Sequence, residues 1–295
     1  MFISKARRRF ETTQGLIKRA YADTRYGQVH FRFAGKGETL VMLHQSAASS
    51  ATWEWIMPKV ALQYRVIAVD TPGFGMSDPP PVSNPSIADY AQITTAFFDA
   101  IGLRRFHLLG HHTGAGIACE VALQRPQRVR SLILNGIAAY NNETTPEKIT
   151  EGKPRLRNWF FAIPLREDGS HLKEAWDTIN EMAYAGDAFQ SPYDQRACEI
   201  VHHEVLSKLL SHDSSKPVYA ALFKYPYYEK LKSLQVPTFI WTGKKDPLFR
   251  FHQKAVQSAP KAKSREGDGG TYFTTHLDAD YWVQQILDWL NSLKP

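Results

Sequence analysis

The side chains best suited to acid–base or nucleophilic chemistry in this chain are histidines. Two of them stand side by side between glycines, in Gly110-His111-His112-Thr113-Gly114. Imidazole titrates near neutral pH, so it can take a proton from water or attack an acyl group. A metal centre would draw on His44, His112, Asp246 and His276, since imidazole and carboxylate suit zinc or iron. None of these four has the spacing of a ligand pair such as HxxxH or HExxH, and no metal is expected. His202-His203-Glu204 is no better, because neighbouring helical residues point about 100° apart. Cys119 and Cys198 lack CxxC spacing and read as small packed residues rather than a zinc site or a disulfide framework. No P-loop and no G-x-G-x-x-G follows a strand pattern, so no cofactor is expected.

The elements that must position these groups alternate. Residues 26–34 (YGQVHFRFA) read as an exposed-face strand. Continuous apolar runs follow at 39–43, 65–69, 106–109, 131–135 and 237–242, as expected of strands buried on both faces. Helical patterns lie between them, at 86–101 with Ser86 as N-cap, at 114–124, and at 278–293. This order predicts an α/β fold with a mostly parallel sheet. The alternation lapses after residue 135. About 100 residues of helical pattern (170–184, 193–211, 216–232), broken by prolines, precede the next strand. An insertion leaving the carboxyl end of a strand would cover a ligand site there as a lid.

The chain has 295 residues, 43% of them hydrophobic and 22% charged, which is a globular composition. No run approaches the ~20 apolar residues of a membrane span. The basic N-terminus lacks the apolar centre of a secretory signal, and a cytoplasmic location is expected. The formal net charge is +7. Lys5, Arg7, Arg8, Arg9 and Lys18 crowd the start of the chain. Without a nucleic-acid motif they read as one solvated helix face.

Four stretches together resemble the α/β-hydrolase superfamily. LVMLHQSAASSATWEWIMPKVA resembles the strand and loop that carry its oxyanion hole. YRVIAVDTPGFGMSDPP is close to its D-x-x-G-x-G-x-S strand and loop. FHLLGHHTGAGIACEVALQRPQRVRSLILNG resembles the nucleophile elbow with the following helix and strand, and VPTFIWTGKKDPLF the strand and loop that carry the acid. The resemblance spans residues ~26–140 and 233–295. It implies an α/β-hydrolase core at 1–139 and 233–295, with a helical lid (cap) at 140–232 inserted between two core strands. In the family pattern G-x-Nuc-x-G the nucleophile sits on a strained strand-to-helix turn. Here that position is His112, and no G-x-S-x-G exists elsewhere in the chain. Asp246 stands where the family acid does. The usual catalytic histidine position aligns with Phe273, and His276 follows three residues later.

The resemblance therefore implies a small-molecule hydrolase of esters, lactones or C–C bonds with an atypical elbow histidine. His112 would serve as general base on a water, or as a nucleophile giving an acyl-imidazole. Asp246 or His276 would hold its far nitrogen, with His276 as a second base and His276 or Tyr272 as proton donor. The oxyanion hole would be the backbone N–H of Thr113 plus that of Gln45 or Ser46, with Gln45 and Ser46 also contacting substrate. His44, His107 and His111 read as structural. The many aromatic residues of the lid, among them Trp159, Phe160, Trp176, Tyr219 and Phe223, suggest an apolar, aromatic-accepting pocket. The expected partner is a small molecule with a carbonyl, not nucleic acid or membrane, and the chain could act as a homodimer. Two alternatives stay open: a cofactor-free lyase, decarboxylase or oxygenase using His112 for proton transfer, and a non-catalytic ligand-binding pseudo-hydrolase.

Overall fold

A computed structural model describes residues 16–185, 195–270 and 273–294. Lys5, Arg7, Arg8, Arg9 and Tyr272 lie outside the described residues. The architecture is α/β, an eight-stranded sheet in the order β1-β2-β4-β3-β5-β6-β7-β8. The strands are β1 (Lys18–Thr24), β2 (Gly27–Ala34), β3 (Thr39–Leu43), β4 (Arg65–Val69), β5 (Phe106–His111), β6 (Val129–Asn135), β7 (Thr238–Gly243) and β8 (Lys263–Gly267). β1, β2 and β4 pair antiparallel and all other neighbours pair parallel.

The apolar runs of the sequence are the strands buried on both faces. In β3, Val41 and Leu43 enter one core cluster while Leu40 and Met42 enter the other. β4 divides in the same way, Ile67 and Val69 against Val66 and Ala68. This alternation is the two-residue period of a strand with a hydrophobic layer on each side. One layer contains α1 (Ile87–Ala100) and α2 (Thr113–Gln124), and the other rests on α10 (Ala279–Asn291). Ser86 starts α1 with a capping box: its hydroxyl accepts from the Asp89 N–H, and its own N–H donates to the Asp89 carboxylate.

Two strands escaped the pattern reading. β1 begins at Lys18 and is the outermost strand, so Lys18 sits on a sheet edge and not on a helix face. β8, mostly exposed and carrying Lys263, Arg265 and Glu266, is recognisable only from its parallel pairing with β7.

Among the described residues, six α-helices lie between β6 and β7: α3 (Pro146–Thr150), α4 (Pro154–Phe160), α5 (Ser170–Ala185), α6 (Gln195–Leu210), α7 (Ser215–Lys224) and α8 (Tyr227–Lys232). The pattern at 216–232 is two helices, because Pro226 cannot donate within a helix and Tyr225 before it is extended. The insert has its own small core of Ile163, Ala175, Ile179, Ile200, Val201 and Val205, completed by Phe273. α9 (His252–Ser258) follows β7. Among the described residues, no helix is long and apolar enough to cross a membrane.

Candidate active site

β5 delivers the site. Its last residue, His111, is buried, and the next, His112, turns the chain into α2 with φ 50° and ψ −110°. A non-glycine residue at positive φ is strained, and such strain persists where the surroundings hold it. The flanking glycines make the turn fit: a Cβ on Gly110 would lie 2.3 Å from the Gly114 carbonyl oxygen, and one on Gly114 2.3 Å from that of Leu43. The His112 N–H donates to the Asn135 carbonyl at 2.9 Å, tying the turn to the end of β6.

From this turn the His112 ring reaches the loop after β7. Its Nε2–H donates to Asp246 Oδ2 at 2.8 Å, between residues 134 apart in the chain. The second carboxylate oxygen, Oδ1, accepts the Leu248 N–H at 2.7 Å, so both oxygens of the buried Asp246 are engaged. With Nε2 carrying its proton toward Asp246, the unprotonated nitrogen is Nδ1, which makes no hydrogen bond among the described residues. Gly136 makes room for this contact, since a Cβ there would lie 2.2 Å from His112 Cδ2 and 2.6 Å from Nε2. The strand-end glycine in SLILNG is the sequence signal of this contact.

His111 supports the site from below. Its ring lies 4.0 Å from the His112 ring, and Nδ1–H donates to Asn135 Oδ1 at 2.7 Å. Asn135 Nδ2 in turn donates to the Trp241 carbonyl at 3.1 Å. Burial first, then the neighbouring His112, push the His111 imidazole well below its ordinary value, so it is a neutral strut. His44 is also structural, at the end of a central strand rather than a sheet edge. Its Nε2 accepts the Thr71 N–H at 2.9 Å and its Nδ1–H donates to the Gln45 carbonyl at 2.7 Å. His107 pairs with Ser131 Oγ at 2.8 Å.

His276 is not brought to the pair. Its Nε2 meets Glu204 Oε1 of α6 at 3.1 Å, both side chains being buried, and Glu204 thereby ties the insert to the short turn before α10. The insert thus captures the imidazole that the sequence offered as second base. Phe273, at the usual histidine position, is buried among Ile163, Ile179 and Ile200. With His44 and His276 held elsewhere, the four groups considered for a metal do not converge. Among the described residues no three His, Cys, Asp or Glu side chains group as metal ligands.

His112 opens on a cavity of about 220 Å³ that Gln45, Ser46 and Thr113 also line. The Thr113 N–H belongs to the first turn of α2, where amides have no partner inside the helix. Gln45 Nε2 donates to Thr52 Oγ1 at 3.2 Å, while its buried Oε1 has no partner among the described residues. The Ser46 carbonyl accepts the Tyr219 hydroxyl at 2.7 Å. Leu156, Trp159, Phe160 and Leu222 of the insert form an apolar wall. Lys208 braces that wall, its Nζ donating to the carbonyls of Trp159 (3.0 Å) and Phe161 (2.8 Å). Burial without a carboxylate partner pushes the Lys208 ammonium down to about 7. A larger groove of about 390 Å³ lies beside Ser86 and Lys230. Its one carboxylate, Glu120, is already engaged by Lys230 and Tyr225, and no histidine lines it.

Comparison with known proteins gives a consistent family. A family model described as alpha/beta hydrolase fold matches residues 38–278. The chain is 31% identical over 228 residues to a 2-hydroxy-6-oxononadienedioate/2-hydroxy-6-oxononatrienedioate hydrolase of Pseudomonas putida, covering 74% of this chain and 75% of that one. Among solved structures, the enol-lactonase from Burkholderia xenovorans LB400 superposes with TM-score 0.70 at 18% identity, over 92% of this chain and all of that one (100%). An N-acyl homoserine lactone degrading enzyme superposes with TM-score 0.70 at 19% identity, over 91% of this chain and 99% of the other. At these identities the two structures speak for the fold alone.

Proposed function

The chain belongs to the α/β-hydrolase fold family, and from that premise we propose that it hydrolyses a small carbonyl compound, an ester, lactone or activated C–C bond, with His112 as general base. The observation that carries the reading is the His112–Asp246 hydrogen bond at the strained elbow, beside a cavity. In the ordinary family site an acid orients a histidine, which activates a serine. Here one residue joins both positions. Asp246 fixes the tautomer with the proton on Nε2, and Nδ1 accepts a proton from water. The hydroxide so formed attacks the carbonyl carbon. The Thr113 N–H, with that of Gln45 or Ser46, receives the developing oxyanion. His112 Nδ1–H then returns the proton to the leaving group, so the cycle ends with acid, leaving group and the starting tautomer.

The elbow also supports a second route, because it is where this family presents its attacking atom. His112 Nδ1 would then bond to the acyl carbon, and water would cleave the acyl-imidazole. Rapid acid quench and mass analysis of a peptide containing His112 separates the two: an acyl adduct supports attack by nitrogen, and its absence at single turnover supports the base.

The helices at 140–232 act in this reading as a lid, since they supply the apolar wall facing His112. A small apolar substrate fits that wall. The two free cysteines suit a cytoplasmic setting. The test is turnover of aryl esters and lactones by wild type, His112→Ala and His112→Ser. Loss in His112→Ala with the fold intact supports the assignment. A wild type that is inert while His112→Ser gains esterase activity would move the chemistry to lyase or oxygenase reactions, or to ligand binding alone. Serine-directed fluorophosphonates should leave the wild type unlabelled.

A further inference from the structure

The cavity beside His112 carries two cations that the hydrolytic scheme does not use. Lys153 comes from the insert, immediately before α4, and Arg250 from the loop four residues beyond Asp246. Neither has a carboxylate within ion-pairing distance among the described residues, and no Asp or Glu lines the cavity. Arg250 is nevertheless held in place. Its guanidinium lies 4.7 Å from the centre of the Phe251 ring and 5.7 Å from that of Tyr140, which itself lines the cavity. Stacking of this kind orients the fork while leaving its N–H donors free.

We infer that Lys153 and Arg250 are specificity determinants that receive a carboxylate of the substrate, remote from the carbonyl attacked at His112. This rests on the hydrolytic reading of the same cavity and names the class of molecule it takes: a short carbonyl compound bearing a second, anionic end. An anion entering this cavity meets two cations and no carboxylate, and a planar carboxylate matches the guanidinium fork. The volume of about 220 Å³ is below the ~300–1,000 Å³ of ordinary small-molecule sites, which limits the spacer between the two ends to a few carbons. The simpler alternative is two rim cations of a basic protein with no ligand role, and experiment separates them.

The kinetic arm compares mono-4-nitrophenyl glutarate with 4-nitrophenyl 5-oxohexanoate, which replaces the carboxylate by a neutral acetyl group of similar shape. Hydrolysis consumes one water and releases 4-nitrophenol from each. Wild type should favour the hemi-ester by about tenfold or more in kcat/KM, the scale of one charge-assisted hydrogen bond. The ratio should fall in Lys153→Ala and in Arg250→Ala, approach one in the double variant, recover partly in Arg250→Lys, and shrink in 0.5 M salt. The binding arm needs no turnover. Calorimetry with 4-oxopentanoate and with neutral 2,5-hexanedione should show the same preference in wild type and its loss in the double variant. Equal binding of the two ketones by wild type, or a preference that survives the double substitution, overturns the inference. Esters cleaved without preference for charge overturn it while leaving the hydrolase standing. Inert esters with a preserved ketone preference would sink the hydrolase and leave the carboxylate site.

Discussion

Replacing Asp246 by asparagine keeps the shape of the dyad and reverses its polarity. The Leu248 N–H at 2.7 Å requires an acceptor, so the asparagine oxygen stays on that side and its NH₂ group faces His112 Nε2. Nε2 must then accept, which moves the imidazole proton to Nδ1 and removes the base. Recovering the active tautomer means flipping the amide and leaving the buried Leu248 N–H against another donor, at about 1–3 kcal/mol. That alone is a factor of about 5–150 in the active population. The imidazolium formed during turnover also loses its carboxylate. The two losses together should lower kcat by about 10³–10⁴, the scale of the same exchange in a Ser-His-Asp site. KM should change little, because Asp246 does not line the cavity. The assay is ester hydrolysis with a thermal melt of each protein. A well-folded Asp246→Asn that keeps more than a tenth of wild-type kcat would refute the idea that Asp246 sets the His112 tautomer, and the general-base scheme with it.

Gly136→Ala should cost at least 10²-fold in kcat, because the new Cβ would press on His112 from 2.2 Å at a residue with φ +62°; retained activity would show that the ring is not confined as described. His276→Ala should leave kcat within about fivefold of wild type while lowering stability by about 3 kcal/mol, the cost of stranding a buried partner such as Glu204; urea melts beside the ester assay check both halves. Lys208→Met tests the depressed ammonium through pH. The folded-state value of about 7 lies below the unfolded ~10.4, so between these pH values the unfolded chain holds a proton that the folded one lacks. Wild type should therefore gain stability as pH rises through that window, up to ~1.4 kcal/mol per pH unit, and Lys208→Met should lack this gain. Parallel slopes for the two proteins between pH 7.5 and 9.5 would show that Lys208 titrates normally.

The sheet was legible because β3 to β7 are buried on both faces, which forces continuous apolar runs of strand length. β1 and β8 were not, since an exposed edge strand can carry Lys, Arg and Glu and is defined by its neighbour's backbone. His112 and Asp246 were legible from the local patterns around them. Their direct contact was one of two alternatives, and what removes the other, His276, is not local in sequence: its partner Glu204 lies 72 residues earlier, on a helix whose placement depends on the insert's own packing. Lys153 and Arg250 escaped for the same reason. Charges on a helix terminus and a loop look solvated until two separate segments bring them to one cavity.

The parallel neighbours β5, β6 and β7 have a consequence for how such a protein can change. His112 follows β5 and Asp246 follows β7, with Asn135 and Gly136 at the end of β6 between them, so three adjacent strand ends about 4.8 Å apart fix the hydrogen-bonded His112–Asp246 pair. The intervening helices leave from one of these ends and return to the start of the next strand without entering that frame. Substitutions, insertions or an exchange of the whole segment at 140–232 would thus alter the apolar wall of the cavity, and Lys153 with it, while the His112–Asp246 pair and Arg250 stay in register. In the proposed reading the reacting pair and the Arg250 contact stay on the sheet while the apolar wall varies, and swapping that segment between relatives is the direct way to change the apolar part of the substrate.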